Sequence, residues 1–142
     1  MNRRNLIALA AASLVAALPA WAAGLTITDA WSRSTPPGVT VGVGYFTLRN
    51  DTGKSDRLLK ISSPIAEKVQ VHRTEIQDGI ARMREVAVLH VDAGQELRFE
   101  PSGMHVMLTG LKKPLVEGQS FELDLVFEVA GARKVKVVVR KA

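Results

Sequence analysis

Between residues 121 and 139 apolar and polar side chains alternate with a period of two, a rhythm that suits a pleated strand and excludes an amphipathic helix. Phe121, Leu123, Leu125, Phe127 and Val129 alternate with Glu122, Asp124 and Glu128. After Ala130-Gly131-Ala132, Val135, Val137 and Val139 alternate with Lys134, Lys136 and Arg140. An odd-length loop keeps both strands in phase. A loop of three residues would set Phe127 opposite Val135 on the inner face and Glu128 opposite Lys134 on the outer face. Val126 and Val138 break the alternation, so the outer face is expected to be partly covered.

The same rhythm recurs between Gly, Pro, Asn and Asp punctuation throughout the chain after residue 23, and no stretch there keeps a 3.6-residue apolar period for three turns. Strands are expected at 25–30, 43–49, 57–62, 68–75, 80–91, 96–100 and 104–109. With the last hairpin the expectation is an all-β domain of about nine short strands, arranged as a two-sheet sandwich or small Greek-key barrel. A length of 142 residues suits one domain. The absence of cysteine excludes a disulfide framework, a thiolate zinc site and a thiol nucleophile. Any metal must be held by His, Met or carboxylates.

Residues 1–22 read as a leader: Arg3-Arg4, an apolar run over 6–18, then Pro19-Ala20-Trp21-Ala22, with small residues at −3 and −1 of a cut before Ala23. The run is about 13 residues, short of the roughly 20 that a membrane span needs. The expectation is a cleaved signal peptide, a mature domain over 23–142 in the periplasm, and no stable membrane anchor. Nineteen Lys and Arg stand against fourteen Asp and Glu, a formal charge of +5. Export, and the lack of aromatics among the basic residues, argue against nucleic acid as a partner.

Past the leader three His and three Met remain. In 68–74 the apolar positions are Val69 and Val71, so His72 shares the other face with Lys68 and Gln70. Asp78-Gly79 is a type I′ turn signal. Closing a hairpin there sets Val69 opposite Val88, Val71 opposite Val86 and His72 opposite Glu85, with Met83 the diagonal neighbour of His72. Arg73 falls opposite Arg84, a like-charge pair that suggests a splayed or bulged tip. In 104–109, Met104, Val106 and Leu108 form the apolar set, and His105 and Met107 share the opposite face. Two imidazole and thioether pairs therefore face away from the expected core. If the fold joins them, His72, Met83, His105 and Met107 make an uncharged N2S2 donor set suited to Cu(I) and poorly suited to Mg, Ca or Mn. His90 has no Met beside it and is read as structural. Trp31 and Tyr45 are read as core or rim aromatics.

The spacing H-x10-M-x21-H-x-M, carried by His72, Met83, His105 and Met107, resembles the signature of the periplasmic copper chaperones called PCu(A)C. The likeness extends through Asp29-Ala30-Trp31, Pro36-Pro37-Gly38, 44–50 and 103–112. It implies a cupredoxin-like β-sandwich that binds Cu(I) near its surface and passes it towards the copper sites of cytochrome c oxidase, to an oxidase subunit or another assembly chaperone. Arg73 stands where some members carry a further Met, and the sequence lacks the His- and Met-rich tail of others, so one Cu(I) site and no Cu(II) site is expected. The alternatives are a copper storage or resistance protein with the same site, and a metal-free β-sandwich interaction module. An enzyme is disfavoured, since no Ser nucleophile or paired carboxylates fall in register. Arg73, Arg82, Arg84, Lys112 and Lys113 are expected to ring the site and steer an acidic acceptor.

Overall fold

Ten strands account for most of residues 24–142, the part of the chain that this computed structural model describes. They are β1 (Leu25–Arg33), β2 (Val41–Asn50), β3 (Asp56–Ser62), β4 (Ala66–Gln77), β5 (Ile80–Glu85), β6 (Leu89–Val91), β7 (Glu96–Arg98), β8 (Met104–Leu111), β9 (Ser120–Phe127) and β10 (Gly131–Arg140). The expected leader lies outside the described residues. The strands follow one hydrogen-bonded path, β5-β4-β8-β2-β1-β10-β9-β3-β6, and β7 pairs with β2 beyond the end of β8.

The path folds over on itself at β1, so that its two halves enclose one core. Phe46, Leu48, Val71, Val106 and Leu108 from one half meet Leu58, Leu123, Leu125, Phe127, Val135 and Val137 from the other, all buried. This is the expected all-β sandwich. β1 serves both halves because it is bulged: Leu25–Thr28 pair with β2, the register slips by one residue before Trp31, Trp31 and Ser32 then pair with β2, and Trp31–Arg33 pair in parallel with β10. Asp29, at φ +49°, makes the slip. Its carboxylate accepts a 2.9 Å hydrogen bond from Arg140, whose guanidinium lies 5.2 Å from the centre of the Trp31 ring.

Two readings of the sequence need correction. The run over 80–91 is two strands, β5 and β6, which raises the count from about nine to ten. The hairpin register holds from Gln77 opposite Ile80 to His72 opposite Glu85, and the Val86 N–H still donates to the Val71 carbonyl at 2.8 Å. The chain then crosses to the other half, where Leu89 pairs with Leu58. Val69 is therefore opposite Leu108 of β8, and Val88 is left exposed. A change of apolar phase, from Val86 and Val88 to Leu89 and Val91, marks the crossing in the sequence.

The β9–β10 hairpin keeps its phase but closes earlier than expected. Gly131 is opposite Phe127 and Val135 opposite Leu123, so Lys134 lies beside Asp124 and Glu122 while Glu128 pairs with Arg57. The reason is Asp56, only 3% exposed, whose carboxylate accepts hydrogen bonds from the N–H groups of Val129 and Ala130, both at 2.9 Å, and of Arg57 at 2.7 Å. That clamp fixes the turn at 128–130, and Gly131 turns the chain at φ +74°. Burial alone would raise the Asp56 pKa, but the three N–H donors and the charge of Arg133 hold it below the ordinary carboxylate value. Its contribution is thus complete above the unfolded value and lost as pH falls below about 4. Asp56→Ala should cost about 3 kcal/mol at neutral pH in urea denaturation, since it orphans buried N–H groups, and the deficit relative to wild type should shrink in acid.

Candidate metal centre

The pairing of β4 with β8 decides where the four soft side chains go. Val71 opposite Val106 and Val69 opposite Leu108 lock the apolar faces of the two strands together, and the same register sets His72 directly opposite His105 and Gln70 opposite Met107. On the other side of β4, Asp78-Gly79 closes the hairpin with φ of +52° and +75°, as a type I′ turn requires. Thr74 then faces Met83, and Met83 becomes the diagonal neighbour of His72, at a separation typically about 7–8 Å on such a ladder. His72, Met83, His105 and Met107 thus lie on one face of three adjacent strands, β5, β4 and β8, with His72 central.

The two imidazole rings stand 5.8 Å apart, centre to centre. Each has one nitrogen held and one free. His72 Nε2 lies 3.1 Å from the Gln70 side-chain oxygen, and His105 Nδ1 lies 3.2 Å from the Gly103 carbonyl oxygen. Both oxygens accept, so the ring protons are placed on His72 Nε2 and His105 Nδ1. The remaining nitrogens, His72 Nδ1 and His105 Nε2, are buried without any partner, and among the described residues Ser32 Oγ is the other buried side-chain atom in that state. A buried lone pair with no donor is costly. Two of them on paired rings are free to coordinate a metal ion. Among the described residues no three His, Cys, Asp or Glu side chains converge to hold a metal, so the donors available to complete the pair are the thioethers on the same face.

The site is less open than its polar pattern suggests. His105 is buried, on the face shared by Tyr45, which is also buried and whose ring lies 4.7 Å from that of Trp31. These rim aromatics close the β1–β2 side. Met107 is half-buried, and Met83, on the terminal strand of the path, is 60% exposed. The opening is therefore at β5. Met104 packs against the core as expected, and His90 lies on β6 in the other half of the fold.

The ring of cations is not found. Arg73 is opposite Met104 and Arg84, and Arg82 is opposite Glu75, all on the reverse face of the hairpin from His72. Lys112 and Lys113 lie beyond the end of β8 at Leu111, past the bend that Gly110 makes at φ +69°. Nor is the hairpin splayed: Arg73 and Arg84 stay paired because Arg84 is bridged by Glu75 at 2.9 Å and Arg73 turns to the Met104 sulfur at 3.9 Å. Sequence reading passed over Gln70 and Gly103 as partners of the two rings. Position i−2 on the same strand face was the available signal.

Burial lowers the His72 pKa below the ordinary imidazole value, and the neighbouring His105 and Lys68 reinforce the shift while Glu85, directly opposite, resists it. The folded protein therefore takes up fewer protons at this ring than the unfolded chain does. His72 should destabilise the fold only as pH drops below about 6.5, the unfolded value. In the metal-free protein, NMR titration should show His72 titrating below that value, and His72→Gln should flatten the loss of stability between pH 7 and 5.

Residues 25–139 match the family profile described as "Putative lipoprotein LpqE-like". The chain is 30% identical over 118 residues to "Putative lipoprotein Lxx21020" of Leifsonia xyli, covering 82% of this chain and 70% of that one. It is 31% identical over 115 residues to the uncharacterized protein RP573 of Rickettsia prowazekii, covering 78% and 63%. Among solved structures it resembles the copper-bound PCuAC domain from PmoF2, with a TM-score of 0.71, 24% identity, and coverage of 83% and 93%. It also resembles the Cu(I) form of DR1885 from Deinococcus radiodurans, with a TM-score of 0.65, 29% identity, and coverage of 86% and 83%. The expected cupredoxin-like sandwich is thus the fold the chain shares with PCuAC domains.

Proposed function

The chain belongs to the LpqE-like family, of PCu(A)C type, and from that membership we propose that it binds one Cu(I) ion through His72, Met83, His105 and Met107 and hands it to an acceptor protein. The observation that carries the reading is the pair of buried, unpartnered nitrogens on facing imidazoles, with thioethers on the same face of the flanking and shared strands. His72 Nδ1 and His105 Nε2 supply two neutral borderline donors, and Met83 and Met107 two soft ones. A donor set without charge favours the softer monovalent ion over Cu(II), and over zinc, which usually takes thiolate, imidazole or carboxylate.

The exposure of Met83 favours delivery. An acceptor takes a metal by bringing its own donors to the ion, and a thioether on an outer strand can yield without disturbing the core. Copper here is cargo, and the protein is read as a carrier rather than an enzyme. The acceptor is proposed to be a cytochrome c oxidase subunit or another chaperone of its assembly, and the compartment the periplasm, reached through the leader at 1–22 with cleavage before Ala23. The lipoprotein names of the relatives support export. None of the 142 residues is a cysteine that could carry a thioether-linked lipid.

Anaerobic titration should show a 1:1 Cu(I) complex and weaker binding of Cu(II). Met83→Ala and Met107→Ala should each weaken Cu(I) binding about tenfold or more. Met83→Ala should leave the metal-free stability within about 0.5 kcal/mol of wild type, because the side chain is exposed. Retention of copper by the loaded protein in the presence of an oxidase copper-site domain would favour storage over delivery. Equal or stronger binding of Cu(II) would overturn the site assignment.

A further inference from the structure

Gln70 lies at the centre of the donor array without contributing a soft donor of its own. It is two residues before His72 on the same face of β4, and it is the register partner of Met107 on β8, so its amide sits between an imidazole and a thioether. Its side-chain oxygen lies 3.1 Å from His72 Nε2. A neutral imidazole carries one N–H, and the acceptor it meets decides which nitrogen keeps the proton and which keeps the lone pair. On β8 that choice is made by main chain, since the Gly103 carbonyl can only accept, and it leaves His105 Nε2 free. On β4 the choice falls to a side chain, and hence to a residue that substitution can remove.

We propose that Gln70 is a positioning residue that holds His72 in the Nε2–H form and aims Nδ1 at the metal, so that the two imidazoles bind through different nitrogens, His72 by Nδ1 and His105 by Nε2. This deepens the reading of the site as a Cu(I) centre and rests on it. The asymmetry follows from how the rings are tethered. A ring held at Nε2, its outer nitrogen, presents the nitrogen nearest its own backbone, whereas a ring held at Nδ1 presents the nitrogen farthest from it. A short-reach donor on β4 is thereby set against a long-reach donor on β8, on rings whose centres are 5.8 Å apart, and each of the two nitrogens is buried and lacks a partner. Without the Gln70 oxygen, His72 is free to place its proton on Nδ1, which blocks the nitrogen that faces the site.

Ring nitrogen shifts of the metal-free full-length protein, recorded in mildly alkaline solution, read the tautomer directly and require no substitution. The expected result is an unprotonated Nδ1 at His72 and an unprotonated Nε2 at His105. Gln70→Leu, which keeps the bulk and removes the acceptor, should mix the two forms at His72, leave His105 unchanged, and weaken Cu(I) binding about 10–100-fold, the usual effect of losing an outer partner of a metal-binding His. Gln70→Glu, which restores an oxygen at the same reach, should recover both the Nε2–H form and most of the affinity. An unprotonated Nε2 at His72 in the wild type overturns the proposal, as does a Gln70→Leu protein that keeps wild-type tautomer and affinity. If Cu(I) fails to bind the wild type while the His72 tautomer still follows residue 70, the control of the ring by Gln70 stands and the copper reading falls.

Discussion

The register between β4 and β8 is the constraint from which the site derives. It is enforced on the core side, where buried Val71 lies against Val106 and partly buried Val69 against Leu108, pairs whose misalignment would expose apolar surface. The opposite face inherits the same alignment, and His72 meets His105 there. The proposed metal site is thereby positioned by hydrophobic packing on the far side of the same two strands. A slip of β4 by one residue would turn His72 towards the core, away from His105, and carry Val69 and Val71 to the other face. Selection for a well-packed sandwich and selection for facing imidazoles thus act on one variable.

Much of this was legible in the sequence because a strand's faces are a matter of parity. The alternation over 68–74 and 104–109 gives the faces of His72, His105 and Met107, and Asp78-Gly79 gives the hairpin register that brings Met83 diagonal to His72. What parity cannot give is which strands become neighbours. Nothing local in 66–77 and 104–111 announces that these segments pair, so the N2S2 set had to wait for the topology or for the resemblance in spacing. The same limit explains why Trp31 and Tyr45 were recognisable as aromatics of core or rim but not as the wall beside His105.

The misreadings have particular physical causes. The β9–β10 turn was misplaced by Asp56, a residue more than 70 positions away, whose buried carboxylate holds the N–H groups of Val129 and Ala130. The single run over 80–91 divided because its second half finds its partners on β3, in the other half of the fold. The arginines of the hairpin were assigned to the metal face by proximity in sequence, although alternate positions point to opposite sides. Arg73, Arg82 and Arg84 have the parity of Val71, and His72 has the other.

The placement of those arginines bears on how β5 presents its free edge. β5 ends the hydrogen-bonded path, every one of its six residues is exposed, and Ile76 and Ile80 flank its turn with large apolar side chains in solvent. A bare terminal strand of this kind is a template on which another copy of the same strand can lay itself down. Met83, the proposed donor at the outer edge of the site, stands on this strand and is exposed. Arg82, Arg84 and Glu85 interrupt the strand with charge on either side of that methionine, so two such edges brought together in the same register would oppose like charges. An exposed thioether and a set of charges set against edge-to-edge stacking are therefore combined in the same six residues.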